Sequence, residues 1–348
     1  RPWDQQWSLR MQQILAMETD LLEYDDLFTG NPAVEAKVSE LKAAAREELA
    51  TIEGLGGAVG AIEYMKGRLV ASNAERLGRV ERGEITVVGV NKYTEAEPSP
   101  LTSGTDRILV VDPEVEQDQI ASLNAWRESR DQLAVQRALK ALRAAAQAGE
   151  NIMPASIAAA KAGVTTGEWA DAMRAGYGEY RGPTGVGSAV SNAAEGLDEI
   201  RAEVAVRARA RGGQIRLLIG KPGLDGHSNG AEQIAVRARD CGMTVFYEGI
   251  RETPEAIVER ALTEKVQVIG LSILSGSPLP LVEEVMRRLS DVGRDIPVIV
   301  GGIIPEPDAE RLRTQGVAGV YTPKDFDLNR LMRDIAELAS GRPAAVAE

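Results

Sequence analysis

Gln214-Ile215-Arg216-Leu217-Leu218-Ile219-Gly220 runs directly into Lys221-Pro222-Gly223-Leu224-Asp225-Gly226-His227-Ser228-Asn229-Gly230, a short apolar stretch ending in a glycine-punctuated loop. Four similar apolar, β-branched-rich runs follow at Met243–Tyr247, Val266–Ser272, Ile296–Val300 and Gly319–Tyr321. Amphipathic segments of about 10–16 residues, the length of a crossover helix, separate them. Strands that alternate with helices in this way need crossover connections, so the five strands are predicted to be parallel with helices on both faces. The fold class is α/β, a flavodoxin-like five-stranded parallel sheet.

Upstream the pattern changes. Apolar residues at Leu9, Ile14, Leu15, Leu21 and Leu22 predict a helix over Trp7–Asp25, and Asn31-Pro32 opens a long helix that stops near Gly54–Gly57. Tyr64–Arg82 and the Ala/Leu/Arg-rich Asp118–Gln147 read as further helices. Thr165, followed by Glu168, signals another helix start. Thr86–Val90 is strand-like but isolated, and Glu97–Asp106 reads as a linker. This half is too short and too helical for a complete (β/α)₈ barrel, which takes about 250 residues. A Gly/Pro/Ser break from Gly182 to Gly196 sets the predicted boundary. Residues 1–190 are expected to be a mainly helical end-of-barrel and linker region, and residues 191–348 the α/β domain.

A net charge of −12 over 348 residues argues against a nucleic-acid partner and against docking on anionic membranes. Cys241 is the single cysteine, which excludes an intramolecular disulfide. No apolar run approaches the roughly 18–20 residues of a membrane span, and the N-terminus has no signal-peptide pattern, so a cytoplasmic protein is expected. The chain opens at Arg1 rather than Met and reads as a fragment or a processed product.

In a doubly wound sheet, ligands bind beyond the carboxyl ends of the strands, where the strand order reverses. For a flavodoxin-like order that point lies between the first and third strands. The loops there are Gly220–Gly230 and Ser272–Ser277, with Gly301-Gly302-Ile303-Ile304-Pro305 beside them, all rich in glycine and serine. The first loop is not a Walker A loop, because Gly220-Lys221 is followed by Pro222; its glycine spacing is not G-x-G-x-x-G either. What remains is Asp225-x-His227-x-x-Gly230. His227 can offer a neutral ring nitrogen to a metal while Asp225 accepts the other N–H, and Gly230 lets a large planar ligand approach. No second His or Cys lies near enough to complete a zinc site. A solvent-facing histidine with a single hydrogen bond is the alternative at this stage.

Lys221-x-Gly223-x-Asp225-Gly226-His227-x-x-Gly230-Ala231, with Ser272-Ile273-Leu274 and Gly301-Gly302, resembles the cobalamin-binding domain of adenosylcobalamin-dependent acyl-CoA mutases. The resemblance implies adenosylcobalamin as cofactor and His227 as its lower axial cobalt ligand. It implies Asp225 as the orienter of that histidine and Lys221 as a partner behind them. Gly226, Ser228 and Gly230 would shape the loop, while Ser272, Leu274, Gly301 and Gly302 would line the slot for the nucleotide tail. Thr322 falls where these mutases often carry a Gly-Pro-Gly turn. Here the stretch reads Tyr321-Thr322-Pro323-Lys324, a departure from the pattern.

The resemblance extends upstream through Gly89-Val90-Asn91-Lys92-Tyr93, Gly56-Gly57-Ala58-Val59 and Gly167-Glu168-Trp169. Tyr24–Phe28 and Tyr64–Val70 are similar to the branch of the family that rearranges ethylmalonyl-CoA to methylsuccinyl-CoA, rather than to the methylmalonyl-CoA branch. By this resemblance the chain is the C-terminal half of an isomerase that works by radical carbon-skeleton rearrangement. No catalytic residue is expected within the chain, because the substrate barrel would be its partner. A homodimer or heteromer and a G-protein chaperone are implied as well. A methylmalonyl-CoA-type subunit or a corrinoid methyl carrier is the alternative.

Overall fold

The computed structural model describes residues 2–95, 113–187, 196–274, 278–322, 325 and 327–341. The predicted linker at Glu97–Asp106, part of the 182–196 break, Ser275–Ser277 and Pro323-Lys324 lie outside these residues.

The strands are β1 (Arg216–Gly220), β2 (Thr244–Tyr247), β3 (Val268–Ile273), β4 (Val298–Gly302) and β5 (Gly319–Tyr321). They form one sheet in the order β2-β1-β3-β4-β5, and every pairing is parallel. Each predicted strand is present, the fifth with its expected bounds and the other four trimmed or shifted by a residue or two. Successive side chains of a strand point to opposite faces, and the core divides accordingly. Leu217 and Ile219 pack on one face with Ile200, Ala235 and Ile335, whereas Leu218 packs on the other with Ile257, Val285 and Leu312.

Fourteen helices are described. α1 (Pro2–Met17), α2 (Pro32–Gly54), the single turn α3 (Gly57–Gly60) and α4 (Ile62–Glu81) come first. α5 (Pro113–Ser129), α6 (Gln132–Gln147), α7 (Met153–Lys161) and α8 (Thr166–Tyr177) follow. The helices of the sheet region are α9 (Leu197–Arg211), α10 (Asn229–Asp240), α11 (Pro254–Thr263), α12 (Pro278–Asp291), α13 (Glu306–Thr314) and α14 (Leu328–Leu338). α9, α10 and α14 cover the first face of the sheet; α11, α12 and α13 cover the second. Both faces are therefore buried, as a parallel sheet requires. Among the described residues no helix is long and apolar enough to cross a membrane.

The chain divides into two compact units: Arg1–Phe28 with Glu97–Tyr180, and Thr29–Ala96 with Arg181–Glu348. The helical unit centres on Leu142, Ala159 and Ala172, all fully buried. Its capping signal is realised: the Thr165 hydroxyl accepts the Glu168 N–H at 3.3 Å, and the Glu168 carboxylate accepts the Thr165 N–H at 2.8 Å. The stretch expected to be a single helix over 118–147 is two helices. Arg130 sits between them, with its guanidinium on Glu168 at 2.5 and 2.7 Å and on the Gly163 carbonyl at 2.9 Å. Asp131 then caps α6 by accepting the Leu133 and Ala134 N–H groups. The helix expected over Trp7–Asp25 ends at Met17, and a short 3₁₀ turn follows at Leu21–Glu23.

In the sheet-bearing unit, Asn31 caps α2 and Pro32 fills its first turn, as expected. Thr86–Val90 is a turn with one isolated bridge, Val88 to Lys92, and not a strand. Asn91 organises it by donating to the Val80 and Ile85 carbonyls and accepting the Val87 N–H, all at 2.8 Å. α7 and α9 were not predicted. α9 shows only Leu197, Ile200 and Val204 buried among arginines and alanines, a pattern too sparse to stand out.

Candidate functional site

β1 ends at Gly220, and the chain turns through Lys221–Ser228 before α10 begins. Gly223 adopts a φ of +82°, a conformation that favours glycine, and a Cβ there would lie 2.9 Å from Leu281 Cδ1, displacing that side chain. Glu252, from the loop after β2, fastens the start of the turn. Its N–H donates to the Lys221 carbonyl at 3.0 Å, its carboxylate accepts the Lys221 N–H at 2.9 Å, and its carbonyl accepts the Gly223 N–H at 3.0 Å. Burial pushes the Glu252 carboxyl upward, against the Lys221 hydrogen bond.

Asp225 is the hub. One of its oxygens, Oδ1, accepts the His227 backbone N–H at 3.0 Å and faces His227 Nδ1 at 2.7 Å. The other accepts the Lys221 ammonium at 3.0 Å and the Leu274 N–H at 2.9 Å. The Lys221 ammonium also donates to the Ser272 carbonyl at 3.0 Å. Lys221 is fully buried and Asp225 nearly so. Burial opposes ionisation of Asp225, but the donors from His227, Leu274 and Lys221 outweigh it and hold the carboxyl far below the usual range. A carboxylate that only accepts places the proton on Nδ1 of His227, leaving the lone pair on Nε2. The histidine side chain is 66% exposed. The buried lysine and aspartate thus sit beneath the loop, and the imidazole stands above it.

The expected residues fall into groups. Lys221, Asp225, His227, Ser272 and Leu274 form a single hydrogen-bonded network across the β1–β3 switch point. Gly301 and Gly302 lie beside it, paired in register with Ser272 and Ile273. Gly302 has a φ of +152°, and a Cβ there would come within 1.7 Å of the Ile273 carbonyl oxygen, so no other residue fits. Gly230 faces open space, and a Cβ at Gly226 would meet only the Arg251 guanidinium at 3.9 Å. Ser228 joins a different partner, Lys66, at 3.1 Å. Thr322 belongs to a local turn at the end of β5, its N–H and hydroxyl both directed at Asp325. Lys66, Glu232 and Glu252 were missed. Lys66 lies 162 residues from its contact in sequence, and no local pattern marks it.

Three apolar side chains are exposed at the same end of the sheet: Leu224, Leu274 and Ile303. Among the described residues, no group of three or more His, Cys, Asp or Glu side chains could hold a metal ion by itself. One histidine nitrogen with an orienting carboxylate, exposed apolar side chains and glycines open to the surface fit a metal whose remaining positions are supplied by a large macrocycle. They do not fit a bare ion, which takes several protein ligands.

Comparison with known proteins adds two family matches. A family model described as methylmalonyl-CoA mutase matches residues 4–179, and one described as B12 binding domain matches residues 215–325. Ethylmalonyl-CoA mutase of Cereibacter sphaeroides is 64% identical over 348 residues, covering all of this chain and 53% of that protein. Ethylmalonyl-CoA mutase of Methylorubrum extorquens is 54% identical over 97% of this chain and 49% of its own length. Methylmalonyl-CoA mutase of Cereibacter sphaeroides is 33% identical over 90% of this chain and 44% of its own length. The chain spans about half the length of these relatives.

Proposed function

The chain belongs to the methylmalonyl-CoA mutase family and carries its B12-binding domain, and on that premise we propose that it is the cofactor-bearing half of an enzyme interconverting ethylmalonyl-CoA and methylsuccinyl-CoA. The substrate assignment is supported by the contrast within one organism, 64% identity to the ethylmalonyl-CoA enzyme against 33% to the methylmalonyl-CoA enzyme. The residues that would grip the acyl group are assigned to the other half, which is this chain's partner in the reading. The same reading takes residues 1–190 as end-of-barrel and linker and 191–348 as the cobalamin domain. It also carries the homodimeric or heteromeric assembly, the G-protein chaperone and the cytoplasmic location expected above.

One observation carries the cofactor site: His227 is held by Asp225 through Nδ1, so that Nε2 is turned outward from the switch point. We assign Nε2 of His227 as the atom that would hold the cobalt of adenosylcobalamin. When bound, that cofactor supplies the carbon radical that begins the rearrangement. The chain's own residues set where it is held. Asp225, kept ionised by three neighbours, fixes the tautomer of His227 and raises the basicity of its free nitrogen. Lys221 neutralises the buried carboxylate without reaching the surface. Ser272, Leu274, Gly301 and Gly302 would present a wall of small or apolar groups to the nucleotide tail, and Gly226, Ser228 and Gly230 would keep the rim low. Thr322 is assigned to the far end of that wall.

His227→Ala tests the site. The histidine is exposed, so the fold should persist. Cobalamin affinity should fall by more than the roughly 10–100-fold that losing an orienting partner costs, with partial recovery on adding imidazole. Unchanged affinity would refute the assignment. Faster turnover of methylmalonyl-CoA than of ethylmalonyl-CoA by the enzyme containing this chain would refute the substrate reading alone.

A further inference from the structure

We propose that Lys66, on α4, is a positioning residue that fixes the height of the His227 loop. The proposal rests on the reading of His227 as the cobalt ligand.

The loop has a soft joint. Gly226 lies between Asp225 and His227, and without a Cβ it allows the backbone many conformations. Glu252 fastens the loop before that joint, and Asp225 reaches across it to the backbone N–H and Nδ1 of His227. Beyond His227, the next fixed point is Ser228. This residue occupies the N-cap of α10, yet its hydroxyl makes no capping bond. It is engaged by the Lys66 ammonium at 3.1 Å, and the same ammonium lies 2.5 Å from Glu232, which is 2% exposed.

Lys66 is itself held firmly. Gly185 packs against its backbone so closely that a Cβ there would lie 2.8 Å from the Lys66 carbonyl carbon and oxygen. Further along α4, the Val70 carbonyl accepts from Gln233 at 3.2 Å, and Glu81 pairs with Arg237 at 2.8 Å. Val70 is buried in the same core as Ala235. α4 is thus fastened along α10, and Lys66 is the one of these ties that reaches back to the residue beside His227. The contact also crosses between family modules, since Lys66 lies within the methylmalonyl-CoA mutase match and Ser228 within the B12-binding match. A residue outside the B12-binding match therefore takes part in placing the cobalt ligand.

Three variants separate positioning from bulk stability. Ser228→Ala removes the loop contact and leaves the Lys66–Glu232 pair; Lys66→Met removes both; Lys66→Arg keeps the charge. Each would be labelled with ¹⁵N-histidine, loaded with cob(II)alamin and examined by electron paramagnetic resonance, alongside cobalamin affinity and thermal unfolding. We expect Ser228→Ala to unfold as the parent does, yet to bind cobalamin about tenfold more weakly with a smaller fraction of cobalt bearing the histidine nitrogen. Lys66→Met should do at least as much, and Lys66→Arg should recover most of it. Parent-like affinity and full histidine ligation in Ser228→Ala would overturn the proposal, and a Lys66→Met defect confined to thermal stability would do the same. If the unaltered chain shows no histidine nitrogen on cobalt, the ligand reading itself falls, and this inference falls with it.

Discussion

Asp225 and Asp334 are both buried carboxylates of the sheet-bearing unit, 6% and 8% exposed, but their surroundings drive them in opposite directions. Desolvation disfavours the charge on each. At the β1–β3 switch point, Asp225 collects two backbone N–H groups, an imidazole and an ammonium, and is held ionised. At the β5 edge, Asp334 receives one hydrogen bond among the described residues, from the Tyr321 hydroxyl at 2.9 Å, and burial pushes its carboxyl upward. The number of donors, more than the depth, decides the charge. Donors converge where the strand ends and loop amides meet, which is where a doubly wound sheet offers a ligand site. The edge pair packs α14 against β5 and takes no part in the proposed chemistry.

Removing the two carboxylates should expose this contrast most strongly. Asp225→Ala leaves the Lys221 charge buried without its partner, which costs about 3–5 kcal/mol in comparable buried pairs. Urea unfolding should show that loss, and cobalamin affinity should fall more than tenfold, the scale for losing an orienting partner. A loss below about 1 kcal/mol would mean that the network is far weaker than its geometry indicates. Lys221→Met ranks next. Asp225 then keeps its other three donors, so about 1–3 kcal/mol is expected, the range for one lost buried hydrogen-bonding partner.

The pH dependence sharpens the comparison further. Asp225 has a depressed folded-state pKa, so its contribution is fully present above the unfolded value of about 4 and is lost as pH falls below it. Asp334 has a raised folded-state pKa, so its protonated form favours the fold; its contribution is greatest below about pH 4 and declines as pH rises through the folded value. Urea midpoints of the parent, Asp225→Asn and Asp334→Asn between about pH 3 and 7 should therefore diverge with opposite slopes. Parallel curves would break the comparison. The smallest effect is that of Asp334→Asn near neutral pH. The Tyr321 hydroxyl can still donate to the amide oxygen, so stability should stay within about 1 kcal/mol of the parent.

Much of this was legible in the sequence, for physical reasons that can be named. Strands buried on both faces appear as runs such as Leu217-Leu218-Ile219 and Val298-Ile299-Val300, and their alternation with helices leaves few topologies. That topology places Asp225-x-His227 at the switch point without any knowledge of side-chain contacts. The rest was hidden because it is not local. Lysine is ordinarily a surface residue, and nothing near Lys221 reveals that Asp225 and the Ser272 carbonyl take it fully inside. Glu252 and Lys66 reach the loop across 31 and 162 residues. The break between α5 and α6 falls in an Ala/Leu/Arg-rich run with no glycine or proline. Its cause is Arg130, turned toward Glu168, whose carboxyl that guanidinium holds down at about 2.

The central claim is that the chain's only histidine binds cobalt through the nitrogen that Asp225 leaves free. Because His227 stands alone, ¹⁵N-histidine labelling tests it without mutation, by electron paramagnetic resonance of the chain loaded with cob(II)alamin. The account predicts that the superhyperfine triplet of a ¹⁴N ligand becomes the doublet of ¹⁵N. An unchanged triplet would show that the cofactor's own benzimidazole still holds the metal, and would contradict it.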